Sequence, residues 1–208
     1  RESDPAKKAE EFLNDSVTSV QEAMSGACDI IAEWMSEDQK ARRRLRNLFE
    51  REAFIYSKVV KGKEQEGIKY SDYYDWSEQL KKCPSHRLLA MRRGEEEGFL
   101  RLSIEPEEEK ALEILEVLFI KGKNESSRLV GEALTDSWKR LLSGSLETEF
   151  RNLSKEKADK EAIDVFAENL RQLLLASPLG EKNVLAIDPG FRTGCKIVCL
   201  DRQGNLIH

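Results

Sequence analysis

The chain has 208 residues, of which 39% are hydrophobic and 35% are charged, and its formal net charge is −5. That length can bury a complete core in one or two domains, and the composition is typical of a charge-rich, mostly helical protein. The negative balance excludes a surface that attracts nucleic acid everywhere, so any site for a polyanion must be a local basic patch. Since no apolar run approaches the roughly 18 residues that a membrane span needs, we expect no membrane partner.

The four cysteines predict free thiols rather than a disulfide framework or a metal site. Cys195 and Cys199 stand four positions apart on a predicted strand, which separates them by roughly 13 Å, too far for a disulfide. The sequence offers only His86 and His208 as imidazole ligands, so zinc is not expected. The chain starts at Arg1 without a visible signal peptide. We therefore expect a cytoplasmic protein without cofactors, cut from a longer chain.

Apolar residues that recur every three or four positions predict helices along most of the chain. The predicted helices cover residues 4–14, 17–35, 38–59, 107–120, 129–142 and 155–176. A shorter piece around Leu146 and Leu153 precedes the last helix. In that last helix we expect one face to turn inward, with Ala162, Ile163, Phe166, Leu170, Leu173 and Leu174.

Two stretches between these helices follow other patterns. Residues 61–80 place Tyr and Trp side chains among lysines and acids. Because the acids repel phosphate, we favour an ordered connector that packs its rings against the helices over a base-stacking surface. Residues 99–104 alternate apolar and polar side chains, as a strand does. A short helix ahead of that strand is predicted to begin at the N-cap Ser85 and to end at Gly94.

The densest basic cluster lies on the helix predicted over residues 38–59. It comprises Lys40, Arg42, Arg43, Arg44, Arg46 and Arg51. One interpretation is that the cluster follows a phosphate backbone. The other is that its charges are solvated and paired with acids such as Asp38, Glu50 and Glu52, and we favour this second interpretation because many helices carry such faces.

The short helix after Pro84 contains a second group of cations. Arg92 and Arg93 suit the negative end of the helix dipole, whereas His86 and Arg87 in the first turn oppose its positive end. Such a placement predicts an anionic partner, either a phosphate or, more simply, a carboxylate. The carboxylate candidates are Glu105, Glu107, Glu108 and Glu109. The residues considered for weak phosphate contacts are Arg42, Arg43, Arg46, Arg87, Arg92 and Arg93.

The segment NVLAIDPGFRTG, at residues 183–194, predicts a strand that ends in a carboxylate and a turn, followed by a second strand. It does not fit a Walker loop, because Gly194 is not followed directly by lysine. An actin-like phosphate loop and the first hairpin of a ribonuclease H-like nuclease both fit. In the second case Asp188 is one ligand of a metal pair. Such a site needs several carboxylates, and the only later acid is Asp201. We assign no role to Phe191 and Arg192 in the turn.

Several separated segments resemble one known family. Residues 187–207, IDPGFRTGCKIVCLDRQGNLI, resemble the opening of the YqgF-like domain, which has a ribonuclease H-like fold. Ahead of them, SKVVKGKEQEG, YSDYYDWSE, PSHRLLAMRRGEEEGFLRLSI and FAENLRQLLLASPLG resemble the middle of Tex, a family of bacterial transcription accessory proteins. Because these segments follow the family's order, the resemblance covers nearly the whole chain.

The resemblance implies a protein of transcription that binds nucleic acid, RNA especially. Since Asp188 lacks the partner carboxylates of a nuclease, we do not expect the chain to be an enzyme. The resemblance also implies a central helical domain over residues 1–180 and, over residues 181–208, the first strands of an incomplete YqgF-like domain. The expected fold is therefore mainly α, a multi-helix region with a short strand followed by a truncated ribonuclease H-like β-hairpin. The helical domain is expected to act as a scaffold for nucleic-acid-binding modules elsewhere in the protein. Two alternatives stay open: a metal-dependent nuclease, and a docking module for RNA polymerase or other elongation factors.

Overall fold

A computed structural model describes residues 4–190 and 194–207, and in these residues the fold is mainly α-helical with two small antiparallel sheets. The helices are α1 (Pro5–Ala9), α2 (Val20–Glu37), α3 (Gln39–Glu52), α4 (Ser85–Glu96), α5 (Glu108–Phe119), α6 (Glu125–Asp136) and α7 (Ser143–Leu175). The strands are β1 (Phe54–Val59), β2 (Asp75–Gln79), β3 (Leu100–Glu105), β4 (Val184–Gly190) and β5 (Gly194–Leu200). The predicted fold class is confirmed. None of the described helices is long and apolar enough to cross a membrane.

Two compact units divide the chain, Arg1–Ile163 and Asp164–His208. The division falls inside α7, whereas the sequence predicts a domain boundary between residues 180 and 181, which stays a prediction. The first unit contains a buried core formed by α3, α5, α7 and the sheet of β1, β2 and β3, with Leu45, Phe49, Ile55, Ile104 and Leu115 among its fully buried side chains.

The sheet of the first unit has the order β2-β1-β3, with both pairs antiparallel. The prediction that the helix over 38–59 continues to Val59 is wrong, because Ala53 adopts an extended conformation (φ −65°, ψ 142°) and ends α3. After it, Ile55 and Ser57 are fully buried and alternate with more exposed neighbours. The apolar spacing across Ala53 fits the period of a helix as well as that of a strand. Periodicity alone therefore predicts a helix where the chain forms a strand.

The aromatic connector predicted over residues 61–80 contains a 3-10 helix, Ile68–Tyr73, and the strand β2, neither of which follows from the sequence pattern. Its expected packing is confirmed. Tyr70 is buried, and Tyr74 and Trp76 are half-buried against the core. The hydroxyl of the buried Ser57 donates to the Tyr73 carbonyl at 2.7 Å, which ties the connector to β1.

The outer edge of β3 is capped by side chains from two helices. The Leu102 amide donates to Glu95 of α4 at 3.1 Å, and the Ile104 amide donates to Glu147 of α7 at 3.2 Å. Arg151 of α7 donates to the Leu102 carbonyl at 2.8 Å and also pairs with Glu95. Strand edges expose unpaired amide and carbonyl groups, and these contacts satisfy them while fixing α7 against the sheet.

The helix α4 differs from its predicted form at both ends. Pro84 occupies the N-cap position, and Ser85 is the first helical residue, where its hydroxyl bonds Glu161. Gly94 is buried inside the helix, which continues to Glu96, and the left-handed residue after its end is Gly98 (φ 78°). Gly94 therefore marks a position where α4 packs closely against its neighbours, and not the end of the helix.

The helices predicted over 129–142 and 155–176 belong to one continuous helical stretch. A π-helical turn, Ser137–Leu142, joins α6 directly to α7, which has 33 residues. The Ser137 hydroxyl, fully buried, donates to the Ala32 carbonyl of α2 at 2.7 Å and anchors this turn. The segment near residue 143, where the sequence predicts a break, contains only Ser and Gly, which are weaker helix formers than alanine. The helix continues through this segment because tertiary contacts stabilise it.

In the second unit, β4 and β5 form the predicted antiparallel hairpin, and Leu200 makes a single bridge to Leu206. The turn residues 191–193 lie outside the described residues. The prediction that the apolar face of residues 155–176 turns inward is wrong: Phe166 is 67% exposed, and Ala162, Ile163, Leu170, Leu173 and Leu174 are exposed as well. Periodicity identifies an apolar face, but it does not supply a neighbour that covers it.

The buried Gly94 generates a stability prediction. A Cβ at this position would lie 2.6 Å from Leu100 Cδ1 and 3.2 Å from Tyr70 Cδ1. Gly94→Ala is therefore expected to lower the free energy of unfolding by about 1–3 kcal/mol through overpacking, as measured by urea denaturation.

The matched control is Gly26→Ala in α2, whose Cβ would meet no atom within 4 Å. That substitution is expected to raise the free energy of unfolding by about 0.5–1 kcal/mol, because alanine favours the helix. Equal stabilisation by both substitutions would contradict the close packing of α4 on β3.

Candidate nucleic-acid interface

A groove of about 1100 Å³ lies between α3, the 3-10 turn Leu80–Lys82 and the first half of α7, all within the first unit. The lining residues that carry charge are Lys40, Arg42, Arg43, Arg46, Glu50, Lys81, Glu149 and Lys157. Six of these are cations and two are carboxylates, so the groove is basic although the chain as a whole is acidic. This is the local basic patch that an acidic chain needs in order to bind a polyanion.

Two arginines of this groove are held by neighbouring groups of the chain itself. Arg46 Nε donates to Glu149 Oε1 at 2.7 Å, an ion pair between α3 and α7. Arg42 Nε donates to the Ser36 carbonyl at 2.7 Å, and its guanidinium also reaches the Ser145 hydroxyl at 3.3 Å. The hydrogen bond to Glu149 raises the pKa of Arg46 above its usual value. These two residues therefore join the walls of the groove.

The other cations of the groove are exposed and available. None of the ion pairs among the described residues involves Lys40, Arg43 or Lys81. Lys157 lies 3.8 Å from Glu161 in an exposed pair one helical turn away, and such pairs contribute little. Lys40 and Arg43 stand three positions apart on α3 and so share one face. Lys81 and Lys157 come from other elements, which places cations on more than one side of the groove.

The proposed internal partners of the basic cluster are only partly right. Arg46 is paired as expected, but with Glu149 and not with Glu50. Asp38 caps α3 by accepting from the Ala41 amide at 2.7 Å, and Glu52 pairs with Lys110 of α5. Asp38 and Glu52 are thus engaged elsewhere, and none of the ion pairs among the described residues involves Lys40, Arg43, Arg44 or Arg51.

The groove also has an apolar floor. Leu80, Phe150 and Leu153 line it, and Leu153 is 50% exposed. The half-buried Phe150 ring stacks on the buried Phe49 ring, with centroids 5.2 Å apart. One side of the Phe150 ring is thus supported by the core, while the residue itself contributes to the groove surface.

Arg87 lies outside this groove and has a carboxylate partner, as the simpler interpretation predicts. The partner is Glu78 of β2 at 2.8 Å, and not one of the four glutamates between Glu105 and Glu109. The Arg87 guanidinium also stacks over the Trp76 ring at 4.9 Å. Burial raises the pKa of Glu78, but hydrogen bonds from Arg87, Cys83 and Trp76 outweigh that effect and leave its pKa below the usual value.

The thiol of Cys83 belongs to the same cluster. Burial, together with the neighbouring Glu78 carboxylate, raises the pKa of Cys83 to about 12. The thiol is therefore protonated at neutral pH and unreactive. All four cysteines are free, as predicted.

The remaining predicted site residues lie apart from the groove. Arg92 on α4 pairs with Glu95 at 3.3 Å and is largely buried, whereas Arg93 is exposed. Asp188 lies on β4 in the second unit, opposite Lys196 of β5. Within residues 4–190 and 194–207, no three His, Cys, Asp or Glu side chains converge in a way that could hold a metal ion. Of the six predicted arginines, the groove collects Arg42, Arg43 and Arg46.

Sequence reasoning missed Lys81 and Lys157 as members of this surface. Lys81 belongs to a two-lysine run ahead of Cys83, and Lys157 is one of several lysines on α7. Nothing in the sequence around either lysine indicates that it belongs to the groove. Their place in the groove follows from the packing of α7 beside α3, which only the tertiary structure provides.

Comparisons of the sequence with known proteins indicate one family. A family model described as Tex central region-like matches residues 1–166. The chain is 36% identical to "Protein tex" of Bordetella pertussis, over 98% of this chain and 28% of that protein. It is 37% identical to "Transcriptional accessory protein Tex" of Neisseria gonorrhoeae, over 96% and 27%, and 27% identical to the human "S1 RNA-binding domain-containing protein 1", over 92% and 21%. The chain spans a little over a quarter of the length of these bacterial relatives.

The contacts of Glu78 generate a pH-dependent prediction. Because its pKa is lower in the folded chain than the ordinary value of 4.5, ionised Glu78 stabilises the fold above that pH. The contribution is lost as the pH falls through the lower, folded-state pKa. Glu78→Gln is expected to reduce the free energy of unfolding at neutral pH by about 1 kcal/mol. Denaturation curves at neutral pH and below about pH 4 should show the difference from the unaltered chain shrinking in acid.

A control is Glu66→Gln, since Glu66 forms only an exposed pair with Lys63 and such pairs contribute little. A loss for Glu78→Gln that stays constant across the same pH range would show that the charge of Glu78 is not what stabilises this cluster.

Proposed function

The chain belongs to the Tex family, and from that premise we propose that its basic groove binds the phosphate backbone of a nucleic acid, RNA in particular. The observation that carries the proposal is the set of exposed cations, Lys40, Arg43, Lys81 and Lys157, that line one groove from three elements. Lysine and arginine contacts to phosphates supply sequence-independent affinity. The names of the relatives, a transcriptional accessory protein and an S1 RNA-binding domain protein, support this ligand.

The rest of the first unit acts as a scaffold in this proposal. Arg42 and Arg46 hold α3 against α7 through Ser145 and Glu149, so that the exposed cations keep their spacing without a ligand. A preformed surface loses less conformational entropy on binding than a flexible one. We assign the helical region the task of holding this surface beside other modules of a longer protein. The protein would bind nucleic acid without acting as an enzyme.

Two further expectations accompany the proposal. The four free cysteines are compatible with the cytoplasmic location that we infer. Contacts with RNA polymerase or other elongation factors stay a prediction of the family resemblance.

Charge reversal separates the groove from the other predicted arginines. Arg43→Glu and Lys81→Glu are each expected to weaken binding of single-stranded RNA several-fold. If the four exposed cations contact phosphates, the slope of log affinity against log salt is about −3 for a single strand, and each substitution reduces its magnitude by about 0.7. Fluorescence anisotropy titrations at several salt concentrations measure both quantities.

The matched control is Arg93→Glu, at another exposed arginine, which lies on α4 outside the groove. It should leave the affinity and the salt slope close to those of the unaltered chain. If Arg93→Glu and Arg43→Glu weaken binding equally, attraction is a property of the whole surface and the groove is not the site. If neither changes it, this helical region makes no phosphate contacts.

A further inference from the structure

The apolar floor of the basic groove is not accounted for by phosphate binding. Phosphate oxygens require cations and hydrogen-bond donors, whereas Leu80, Phe150 and Leu153 offer neither. Leu153 lines this charged groove and is 50% exposed, so it leaves apolar surface in contact with water. A ligand that covers this floor gains hydrophobic free energy in addition to its ion pairs.

The order of residues along α7 places the floor next to a cation. Phe150 and Leu153 are three positions apart, and Lys157 follows Leu153 by four, so the three side chains lie in one row on the same face. Neighbours in such a row are separated by roughly 5–6 Å at their Cβ atoms. The row therefore presents an aromatic ring, an exposed aliphatic side chain and an ammonium group in sequence.

The Phe150 ring is held rigidly enough to serve as a platform. It stacks on Phe49, which is 1% exposed and also contacts Trp138 with ring centroids 6.4 Å apart. A ring that is fixed in this way loses little side-chain freedom when a planar ligand packs on it. Aromatic platforms beside cations bind the flat faces of bases without selecting their sequence.

We propose that this groove contains a base-binding subsite, in which one unpaired base packs on Phe150 and Leu153 while a neighbouring phosphate pairs with Lys157. The subsite rests on the proposed function, because the cations must first hold the backbone in the groove. A base inside a duplex is stacked and paired, so its flat face does not reach the floor. The ligand of the subsite is thus a nucleotide of a single strand.

The test compares two oligonucleotides with the same backbone charge. One is a short oligouridylate, and the other is an abasic oligomer of equal length that carries 1-deoxyribose in place of each ribonucleoside. Anisotropy titrations with the 208-residue chain measure their affinities at low and at physiological salt. The oligouridylate is expected to bind about tenfold more tightly than the abasic oligomer at low salt, since stacking of a base on an aromatic side chain contributes at that level.

A substitution at Leu153 then tests whether the floor causes the difference in affinity between the two oligomers. Leu153→Gln keeps a good helix former on α7 and removes the exposed aliphatic side chain from the apolar floor, so it should abolish most of the preference for the base-bearing strand. Phe150 is left intact because its ring supports the core through Phe49. The matched control is Ile68→Gln, at a side chain that is 51% exposed and lies outside the groove. It should leave both affinities unchanged.

The outcomes distinguish the subsite from the groove that contains it. Equal, salt-sensitive binding of both oligomers, or a preference that survives Leu153→Gln, overturns the subsite and leaves the phosphate groove standing. Absence of salt-sensitive binding by either oligomer overturns both. A preference for the base-bearing strand that Leu153→Gln removes and Ile68→Gln preserves supports the subsite.

Discussion

The free edge of β3 must find hydrogen-bond partners, and the partners that it finds determine where α7 lies. Glu147 and Arg151 are one turn apart on α7, and they bond the Ile104 amide and the Leu102 carbonyl. Glu95 of α4 completes the edge and pairs with Arg151. Charged groups that accept or donate to buried backbone form some of the stronger hydrogen bonds in proteins. Glu147 and Arg151 lie on one face of α7, and their hydrogen bonds hold that face against the sheet. These bonds fix the rotation of the helix about its axis.

That rotation places the neighbouring face of α7 opposite α3 and forms the basic groove. Glu149 then meets Arg46, which closes the contact between the two helices, while Leu153 and Lys157 face the groove. The arrangement of the cations in the groove therefore depends on the contacts between α7 and the sheet, in which these cations take no part. A change on the sheet side of α7, at Glu147 or Arg151, would alter the groove although neither residue lines it. The groove is therefore a property of the whole first unit, which fits the match of the family model to residues 1–166.

Much of this architecture is predictable from the sequence, and its exceptions have physical causes. Strong apolar periodicity predicts α2, α5 and the helical character of residues 155–176, because the local pattern of a helix can be read even where its apolar face stays exposed, as at Phe166. The strand β1 was missed since residues 53–59 satisfy two periods, and only pairing with β2 and β3 selects the extended one. The basic stretch on α3 was recognised as a candidate from its density, but the division of its arginines into paired and unpaired ones depends on Glu149, about one hundred positions away in the chain. Arg87 shows the reverse case, in which a cation against a helix dipole correctly predicted a carboxylate, while the identity of that carboxylate, Glu78, required the sheet.

The central claim is that the groove between α3 and α7 binds nucleic acid. Its most direct test is lysine footprinting of the chain with and without saturating single-stranded RNA. Acetylation of exposed lysines, read by mass spectrometry, reports which ammonium groups the ligand covers. The account predicts protection of Lys40, Lys81 and Lys157, which line the groove, and unchanged acetylation of Lys58 and Lys160, which are exposed outside it. Protection that is equal at both sets of lysines, or that is confined to lysines outside the groove, would contradict the assignment of the surface between α3 and α7 as the nucleic-acid interface.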